Sequence, residues 1–397
     1  MNEQDQRALA PKLRFPEFRD EEGWEQRLLG LACQMQSGKF VSASEIRAQN
    51  EQGLYPCYGG NGLRGYTASF THSGRYSLIG RQGALCGNVR LGVGQFHATE
   101  HAVVVTPENG IKGDWLFFVL DLLNLNRFAT GQAQPGLSID VLEKLPIAIP
   151  RQEPEQQKIA DCLSSVDELI AAQARKVNAL KTHKKGLMQQ LFPREGETQP
   201  RLRFPEFQDA GDWVRTTFGA AATFINGKAY KQEELLEKGK YRVLRVGNYF
   251  TNKEWYISDL ELEESKYCGG GDLLYAWSAS FGPRIWAGEK VIYHYHIWKV
   301  IEANDIDKQF LFLLLDYQTE RMKAESSNGL GLLHITKGAI ESWECSIPTK
   351  NEQKRIADCL TSLDDVITAQ IHKREALKTH KKGLMQQLFL SPEVVEA

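Results

Sequence analysis

The sequence has 397 residues, a length that exceeds a single hydrophobic core and predicts two or more domains. Hydrophobic residues make up 42% and charged residues 25%, and no apolar run is long enough for a transmembrane helix, so an ordinary globular protein without a membrane span is expected. The net charge of -2 means that any affinity for nucleic acid has to come from local patches or from partners. The seven cysteines have no CxxC spacing, which predicts reduced thiols. The amino terminus is polar and does not have the pattern of a secretory signal, so a cytoplasmic location is expected.

In chain order, the first recognisable feature is the motif Leu-Arg-Phe-Pro-Glu-Phe at residues 13–18, which we call the LRFPEF motif. It returns at residues 202–207, an offset of 189 residues, and Trp24 returns with it as Trp213. After each copy come a variable block, a proline-containing segment and a long helical pattern. The chain is therefore predicted to consist of two half-molecules.

The two variable blocks share little sequence. In the first, apolar runs at residues 76–79 and 102–106 lie between glycine-rich loops and predict strands, and residues 115–125 predict a buried helix. In the second, residues 241–246 and 291–298 alternate as strands do, and residues 310–317 predict the matching helix. Each block is thus predicted to be a mixed α/β domain.

The long helical patterns are the most regular part of the chain. Apolar residues follow heptad spacing from Ile159 to Leu191 and again from Ile356 to Leu388, and the thirteen residues 180–192 recur identically at 377–389. Two helices with unmatched apolar stripes are expected to pair antiparallel within the chain. Residues 159–191 correspond to roughly 50 Å of helix, or about one and a half turns of B-DNA. Gln173 and Gln370 lie near the middle of each stripe and are predicted to fix the register.

These patterns predict an α+β protein with a pseudo-two-fold internal repeat, in which two mixed α/β domains are joined by two long antiparallel coiled-coil helices. The predicted divisions are residues 1–150 (first α/β domain), 151–192 (first helix), 193–200 (a charged Pro/Gly linker), 201–348 (second α/β domain) and 349–391 (second helix).

The order of these motifs resembles the specificity subunit of type I restriction–modification systems. The LRFPEF motif followed by tryptophan is similar to that family at both copies. So are Pro-Cys-Tyr-Gly-Gly-Asn-Gly-Leu-Arg-Gly at residues 56–65, Ile-Gly-Arg-Gln-Gly-Ala at 79–84, the segments at 130–138 and 271–283, and Glu-Gln-Lys-Arg-Ile at 352–356. Gly60 stands where the family usually has alanine.

The resemblance implies a non-catalytic subunit that selects a bipartite, asymmetric target in double-stranded DNA. Its implied partners are two methyltransferase (modification) subunits and two restriction/translocase subunits, and no membrane. The chain itself is expected to hold no cofactor, because S-adenosylmethionine, ATP and magnesium would be bound by those partners. The absence of a phosphate-binding Gly-rich loop followed by Lys-Ser or Lys-Thr agrees with this expectation.

Candidate DNA-binding residues are polar, cationic or aromatic residues in the loops of the two blocks, since Arg favours guanine and Asn or Gln favours adenine. They are Tyr58, Asn61, Arg64, Arg81, Gln82 and Asn88 in the first block, and Lys228, Arg245, Asn248, Tyr249, Trp277, Ser278 and Arg284 in the second. Asn61 is explained equally well by a tight turn, and Trp277 fits a core position better than base stacking.

Lysines repeated near the ends of both helices are interpreted as docking sites for two identical partners, since equivalent partners need equivalent patches. They are Lys181, Lys184, Lys185, Lys378, Lys381 and Lys382. The alternatives are direct DNA binding and a solvated helix end, where cations interact favourably with the helix dipole.

Two other functions compete with DNA recognition. One is a coiled-coil adaptor that does not contact DNA. The other is a metallohydrolase using His97 and His101, whose spacing formally matches a zinc-protease motif, although the surrounding residues have strand composition. His294 and His296 are predicted to share one face of a strand, where contact with DNA or solvent is favoured over a metal.

Overall fold

The computed structural model describes residues 9–83, 85–131, 135–250, 252–278, 282–326, 334–391 and 394–395, leaving aside the side chains of 324–326. The chain forms two compact units, Met1–Ala174 with His372–Ala397 and then Arg175–Ile371. Each unit thus combines one variable block with the first part of the long helix that follows it and the last part of the other long helix. The predicted five-part division assigned each helix to a separate domain, whereas both helices contribute to both units.

The first unit contains most of the regular structure of the first half-molecule. Its strands are β1 (Glu25–Leu28), β2 (Cys33–Ser37), β3 (Tyr55–Gly59), β4 (Gly62–Thr67), β5 (His72–Gly80), β6 (Val89–Ala98), β7 (Ala102–Pro107) and β8 (Pro146–Ile149), and its helices are α1 (Leu29–Ala32), α2 (Gly113–Leu122), α3 (Ile139–Glu143) and the first part of α4 (Glu153–Leu191). A six-stranded sheet has the order β2-β7-β5-β6-β3-β4, with only β3 and β6 parallel among its described pairs. A separate antiparallel pair joins β1 to β8.

The second unit repeats this plan with shorter strands. Its strands are β9 (Val214–Thr217), β10 (Ala222–Asn226), β11 (Tyr241–Leu244), β12 (Tyr256–Ser258), β13 (Tyr267–Cys268), β14 (Leu273–Ala276), β15 (Gly282–Ile285), β16 (Val291–Tyr293), β17 (Ile297–Glu302) and β18 (Glu344–Ile347), and its helices are α5 (Phe218–Ala221), α6 (Val246–Phe250), α7 (Lys308–Ser326), α8 (Lys337–Glu341) and the first part of α9 (Lys350–Leu388). Two four-stranded sheets, β10-β17-β14-β15 and β12-β11-β16-β13, replace the single six-stranded sheet. The predicted mixed α/β character of both blocks is confirmed.

One predicted strand is wrong. Residues 291–298 do not form one strand but end β16 at Tyr293 and begin β17 at Ile297, with a turn between them. The backbone of Ile297 donates a hydrogen bond to the carbonyl of His294 at 2.9 Å, which closes the turn. His294 and His296 therefore lie in a turn and not on one face of a strand.

The long helices pair antiparallel in each unit, as the heptads predict. In the first unit, Ile159 and Leu163 of α4 share a core with Met385 and Leu388 of α9. In the second unit, Met188 and Leu191 share a core with Ile356 and Leu360. Helix α4 starts with Glu153-Pro154, a sequence suited to a first turn because proline needs no amide donor there.

The LRFPEF motif is held by the start of the long helix. Arg14 forms two hydrogen bonds with the buried carboxylate of Glu155, both at 2.7 Å, and the indole of Trp24 donates a third at 3.1 Å. The hydrogen bond with Glu155 raises the pKa of Arg14. The backbone amide of Leu13 donates to the carbonyl of Gln387 at 2.9 Å, near the end of α9. One hexapeptide thus binds the beginning of one helix and the end of the other.

The second unit repeats this arrangement residue by residue. Arg203 donates to Glu352 at 2.8 and 2.7 Å, Trp213 donates to the same carboxylate at 3.2 Å, and Leu202 donates to the carbonyl of Gln190 at 2.9 Å. The two LRFPEF motifs therefore recur because each unit needs the same buried ion pair.

We expect Glu155→Gln to lower the free energy of unfolding by about 3–5 kcal/mol, because it leaves a buried guanidinium without its counter-charge. Urea unfolding of the purified full chain measures this change. The control is Glu17→Gln, since Glu17 pairs with Lys158 where both side chains are about half exposed; only a small loss of stability is expected there, because solvent screens the pair. Equal effects of the two substitutions would contradict the role given to Glu155.

Candidate nucleic-acid interface

In the first unit, several loops meet at the end of the six-stranded sheet and are fixed to one another by main-chain hydrogen bonds. Arg81 donates to the carbonyl of His101 at 3.0 Å, and Leu137 donates to the carbonyl of Arg81 at 2.9 Å. The β6–β7 turn is tied to β3, because Thr99 donates to the carbonyl of Tyr58 at 2.8 Å. We call the loops joined in this way the loop frame.

The second unit contains the same loop frame. Trp277 donates to the carbonyl of His296 at 3.0 Å, Ile335 donates to Trp277 at 3.1 Å, and His294 donates to Leu244 at 2.9 Å. These bonds match those of the first unit one for one. Equivalent positions follow directly: Arg81 and Trp277, Gln82 and Ser278, Thr99 and His294, Glu100 and Tyr295, His101 and His296.

A Gly-Lys dipeptide closes each frame. The amide of Lys39 donates to Ala98 at 2.8 Å, and that of Lys228 donates to Tyr293 at 3.0 Å. A β-carbon on Gly38 would lie 2.1 Å from the carbonyl oxygen of Ala98, and one on Gly227 would lie 2.2 Å from that of Tyr293. No residue but glycine fits this approach.

The side chains of the first frame are mostly polar. Arg81 donates to the hydroxyl of Ser37 at 2.7 Å, and Glu100 pairs with the ring of His101 at 3.2 Å. Three buried atoms here have no protein partner: Nε of Arg81, one carboxylate oxygen of Glu100 and Nδ1 of His101. Gln82 is exposed beside them. The frame therefore presents both donors and acceptors that a ligand could satisfy.

The second frame is aromatic. The ring of Trp277 lies 4.8 Å from that of His296, and its indole donates to the carbonyl of Tyr295 at 2.7 Å. His294 stacks with Tyr230 at 6.1 Å, and its Nδ1 accepts from the amide of His296 at 3.4 Å. Burial lowers the pKa of His294 to about 4, so the ring is neutral at pH 7 and its proton is on Nε2. The rings of this frame thus form an uncharged cluster at pH 7, because burial lowers the pKa of His296 as well.

The predicted DNA-binding residues of the first block are distributed around the frame. Arg81 and Gln82 belong to it. The carbonyl of Tyr58 accepts the hydrogen bond from Thr99, and its half-buried ring lies 5.6 Å from the ring of Phe96. Asn61 and Arg64 are exposed at and after the β3–β4 turn, and Asn88 is half-buried, with its carbonyl accepting from Gly80.

In the second block, Tyr249 is the clearest error among the predicted DNA-binding residues. Its side chain is fully buried, with the hydroxyl 3.0 Å from the carbonyl of Leu274. Tyr249 packs in a hydrophobic cluster that also contains Leu244, Leu274 and Tyr293. Arg284 donates to the Tyr249 carbonyl and places its guanidinium 5.3 Å from the Tyr249 ring.

The other predicted residues of this block have protein contacts of their own. Lys228 pairs with Glu234 at 3.1 Å, the guanidinium of Arg245 lies 4.5 Å from the Tyr256 ring, and Asn248 donates to a backbone carbonyl at 3.3 Å. Trp277 and Ser278 are half-exposed in the frame. Of the segments matched to the family, residues 84, 132–134 and 279–281 lie outside the described part of the chain.

Sequence reasoning missed Lys39, Glu100 and Tyr295 as candidate residues. Lys39 had a usable signal, because its Gly-Lys dipeptide recurs at residues 227–228 with the same 189-residue offset as the LRFPEF motif. Glu100 and Tyr295 had no such signal, since their equivalence depends on hydrogen bonds between distant loops.

The metallohydrolase alternative is not supported. His97 lies at the end of β6 and His101 in the following turn, so no helix places them together. Both ring nitrogens of His97 have protein partners, Ser69 at 3.2 Å and the carbonyl of Lys39 at 3.1 Å. Among the described residues, no cluster of three or more potential ligands could hold a metal.

The docking role of two lysines needs correction. In the second unit, Lys184 contacts both carboxylate oxygens of Asp364 at 2.7 Å, and in the first unit Lys381 contacts Asp167 at 2.7 Å. Their side chains are 16% and 17% exposed, so these lysines join the paired helices and are not available to a partner. Lys181, Lys185, Lys378 and Lys382 are exposed, as docking requires.

A second carboxylate faces each of these ion pairs. Burial raises the pKa of Asp121 on α2 and of Asp316 on α7, and the nearby Lys381 or Lys184 offsets only part of that effect. A raised pKa means that the folded protein binds the proton more tightly than the unfolded chain, so protonation stabilises the fold at low pH. This stabilisation is lost as the pH rises through the raised pKa.

Asp121→Asn is therefore expected to increase the free energy of unfolding at pH 7 and to lose that advantage below pH 3.8, the ordinary pKa of the carboxyl. Asp316→Asn should behave in the same way, and the exposed Asp209→Asn should show neither effect. Urea unfolding at pH 7 and at low pH measures all three. If Asp121→Asn instead lowers the free energy of unfolding at pH 7, the carboxylate stabilises the fold and the prediction is wrong.

Comparison with known proteins gives a consistent result. A family model described as the type I restriction modification DNA specificity domain matches residues 21–182 and again 211–379. The EcoprrI type I restriction enzyme specificity subunit of Escherichia coli is 46% identical over 151 residues, which are 38% of this chain but only 37% of that subunit. The MjaVIII specificity subunit of Methanocaldococcus jannaschii is 28% identical over 311 residues, 72% of each chain.

Solved structures agree with the fold. The type I restriction–modification S subunit from M. genitalium has a TM-score of 0.60 at 18% identity, covering 96% of this chain and 99% of that one. A chain from a structural study of complex assembly and conformational transition in a type I system has a TM-score of 0.59 at 15% identity, with 96% and 100% coverage. At these identities the similarity shows a shared fold.

Proposed function

The chain belongs to the family of type I restriction modification DNA specificity domains, and on that premise we propose that it is the subunit that selects the DNA target of a type I restriction–modification complex. The observation that carries this proposal is the loop frame, which occurs twice with one backbone and two different sets of side chains. Two different recognition surfaces in one chain require a target with two different halves. The proposed target is therefore a bipartite, asymmetric sequence in double-stranded DNA.

Local cations, rather than the net charge of -2, would supply the affinity for phosphate. Lys39 and Arg64 are exposed around the first frame, next to the polar residues Asn61 and Gln82. The adaptor alternative gives no reason for two such surfaces on a shared backbone. A recognition subunit gives one, because phosphate contacts position the protein and the neighbouring side chains read bases.

The proposed role is non-catalytic. Methyl transfer and cleavage would be performed by partner subunits, which would also bind S-adenosylmethionine, ATP and magnesium. The proposed complex contains two methyltransferase subunits and two restriction/translocase subunits. The repeated exposed lysines Lys181, Lys185, Lys378 and Lys382 are the proposed docking residues for equivalent partners, since a pseudo-two-fold repeat provides equivalent patches.

The proposed location is the cytoplasm, where the DNA is. The seven cysteines are all free thiols, as a reducing compartment requires. Among the described helices, none is both long and apolar enough to cross a membrane.

Methylome sequencing tests the proposal. Cells carrying the chain with its methyltransferase partner are expected to show one bipartite methylated motif that disappears when the gene for the chain is deleted. The purified complex should retard a duplex containing that motif at a lower concentration than a shuffled duplex. Equal retardation of the two duplexes would favour the adaptor alternative.

We further expect the paired helices to set the spacing between the two half-sites. Inserting one heptad in both helices, after residues 174 and 371, should lengthen the spacer by about three base pairs, because seven residues add about 10 Å of helix. Both half-sites should stay the same. The single insertion after residue 174 is the control and should reduce methylation, since it breaks the helix pairing. A double insertion with unchanged spacing would refute this expectation.

A further inference from the structure

We propose that three equivalent positions in each loop frame determine the sequence of the corresponding half-site. They are Arg81, Gln82 and Glu100 in the first unit, and Trp277, Ser278 and Tyr295 in the second. This inference rests on the proposed DNA-recognition function and adds the residues that distinguish one half-site from the other.

The backbone gives the first reason. Positions 81 and 277 each donate a main-chain hydrogen bond to the histidine of the neighbouring turn, at 3.0 Å in both units. Their carbonyl groups each also accept a main-chain hydrogen bond from a later loop, from Leu137 at 2.9 Å in the first unit and from Ile335 at 3.1 Å in the second. Since the main chain is held in the same way, the difference between the two surfaces lies in the side chains.

Neighbouring positions of the frame are excluded for physical reasons. Thr99 is fully buried, and its equivalent, His294, is engaged by the ring of Tyr230 and the amide of His296. Positions 101 and 296 are both histidine, so their side chains can contact both half-sites but cannot distinguish one half-site from the other. The three remaining positions are exposed or half-exposed and differ in chemistry between the units.

In the first unit, the chemistry fits hydrogen bonding to a G·C pair. Arg81 Nε and one oxygen of Glu100 are buried without a protein partner, and such atoms are costly unless a ligand satisfies them. Arginine suits the O6 and N7 acceptors of guanine, and a carboxylate accepts from the N4 amino group of cytosine. Gln82, exposed beside Arg81, provides both a donor and an acceptor.

In the second unit, the same positions carry no charge. Trp277 has already used its indole N–H on the carbonyl of Tyr295, so its ring offers apolar contact rather than a hydrogen bond. Apolar contact suits the methyl group of thymine, and Ser278 can donate to or accept from any base edge. The second half-site is therefore expected to contain an A·T pair at the position where the first contains G·C.

An exchange of the three side chains tests the proposal in the full chain with its methyltransferase partner. One variant carries Arg81→Trp, Gln82→Ser and Glu100→Tyr, and the reciprocal variant carries Trp277→Arg, Ser278→Gln and Tyr295→Glu. Methylome sequencing is expected to show a changed half-site in each case, a different half for each variant, with the other half and the spacer retained. Both half-sites unchanged in both variants would overturn the proposal.

A milder variant keeps the test decisive if the triple exchanges fail to fold. Gln82→Ser alters one exposed side chain, and its matched control is Gln208→Ser, an exposed glutamine outside the frame. Gln82→Ser should reduce discrimination against base changes at one half-site by about tenfold in methylation rate on oligonucleotide duplexes. Gln208→Ser should leave discrimination as in the wild type. Unchanged discrimination with Gln82→Ser at every position would overturn the proposal.

The wild-type chain separates this inference from the function on which it rests. If the wild-type complex methylates no defined motif, the proposed DNA-recognition function fails. If the wild type has a clear bipartite motif that all the frame variants preserve, only the assignment of the three positions fails.

Discussion

Each unit depends on one buried carboxylate at the start of a long helix. Glu155 is 1% exposed and receives hydrogen bonds from Arg14 and Trp24, and Glu352 receives the same bonds from Arg203 and Trp213. A buried carboxylate is costly unless it is paired and hydrogen-bonded, so these partners cannot be lost independently. The arginine of each LRFPEF motif therefore supplies the counter-charge for the buried glutamate of a helix that begins about 140 residues later.

The next residue of the helix extends the anchor to the recognition block. Gln156 accepts from the amide of Lys112 at 2.8 Å and donates to the carbonyl of Gly110 at 3.0 Å, just before α2. Gln353 makes the equivalent bonds to Asp307 at 2.8 Å and to Asp305 at 3.2 Å, before α7. A Glu-Gln dipeptide thus joins the helix start both to the LRFPEF motif and to the segment before α2 or α7. Such fixed attachment suits a protein whose loops have to hold their positions for reading a ligand.

The two loop frames show how one backbone supports two chemistries. Close glycine contacts and main-chain hydrogen bonds hold the loops, and neither depends on the exposed side chains. The sheets beneath them differ, since β6 in the first unit corresponds to the separate strands β15 and β16 in the second. Exposed side chains can therefore vary without disturbing the frame, which is what a change of target sequence requires.

The sequence alone determined the repeat, the long helices, their antiparallel pairing and the mixed α/β blocks. Heptad spacing and repeated motifs are local patterns, and helix bounds predicted at 151–192 and 349–391 lie within a few residues of Glu153–Leu191 and Lys350–Leu388. The resemblance to the specificity subunits also followed from the order of local motifs, and the family match confirms it.

Only the tertiary structure decided which side chains share a surface. Tyr249 looked like a loop residue but is buried, and Lys184 looked available but is paired with Asp364 of the other helix. The equivalence of Arg81 with Trp277 depends on hydrogen bonds between loops 19 or more residues apart, as from Arg81 to His101 and from Trp277 to His296. Periodicity records which face of its own element a residue occupies. It carries no information on which distant loop lies beside it, because strand order and loop packing set that.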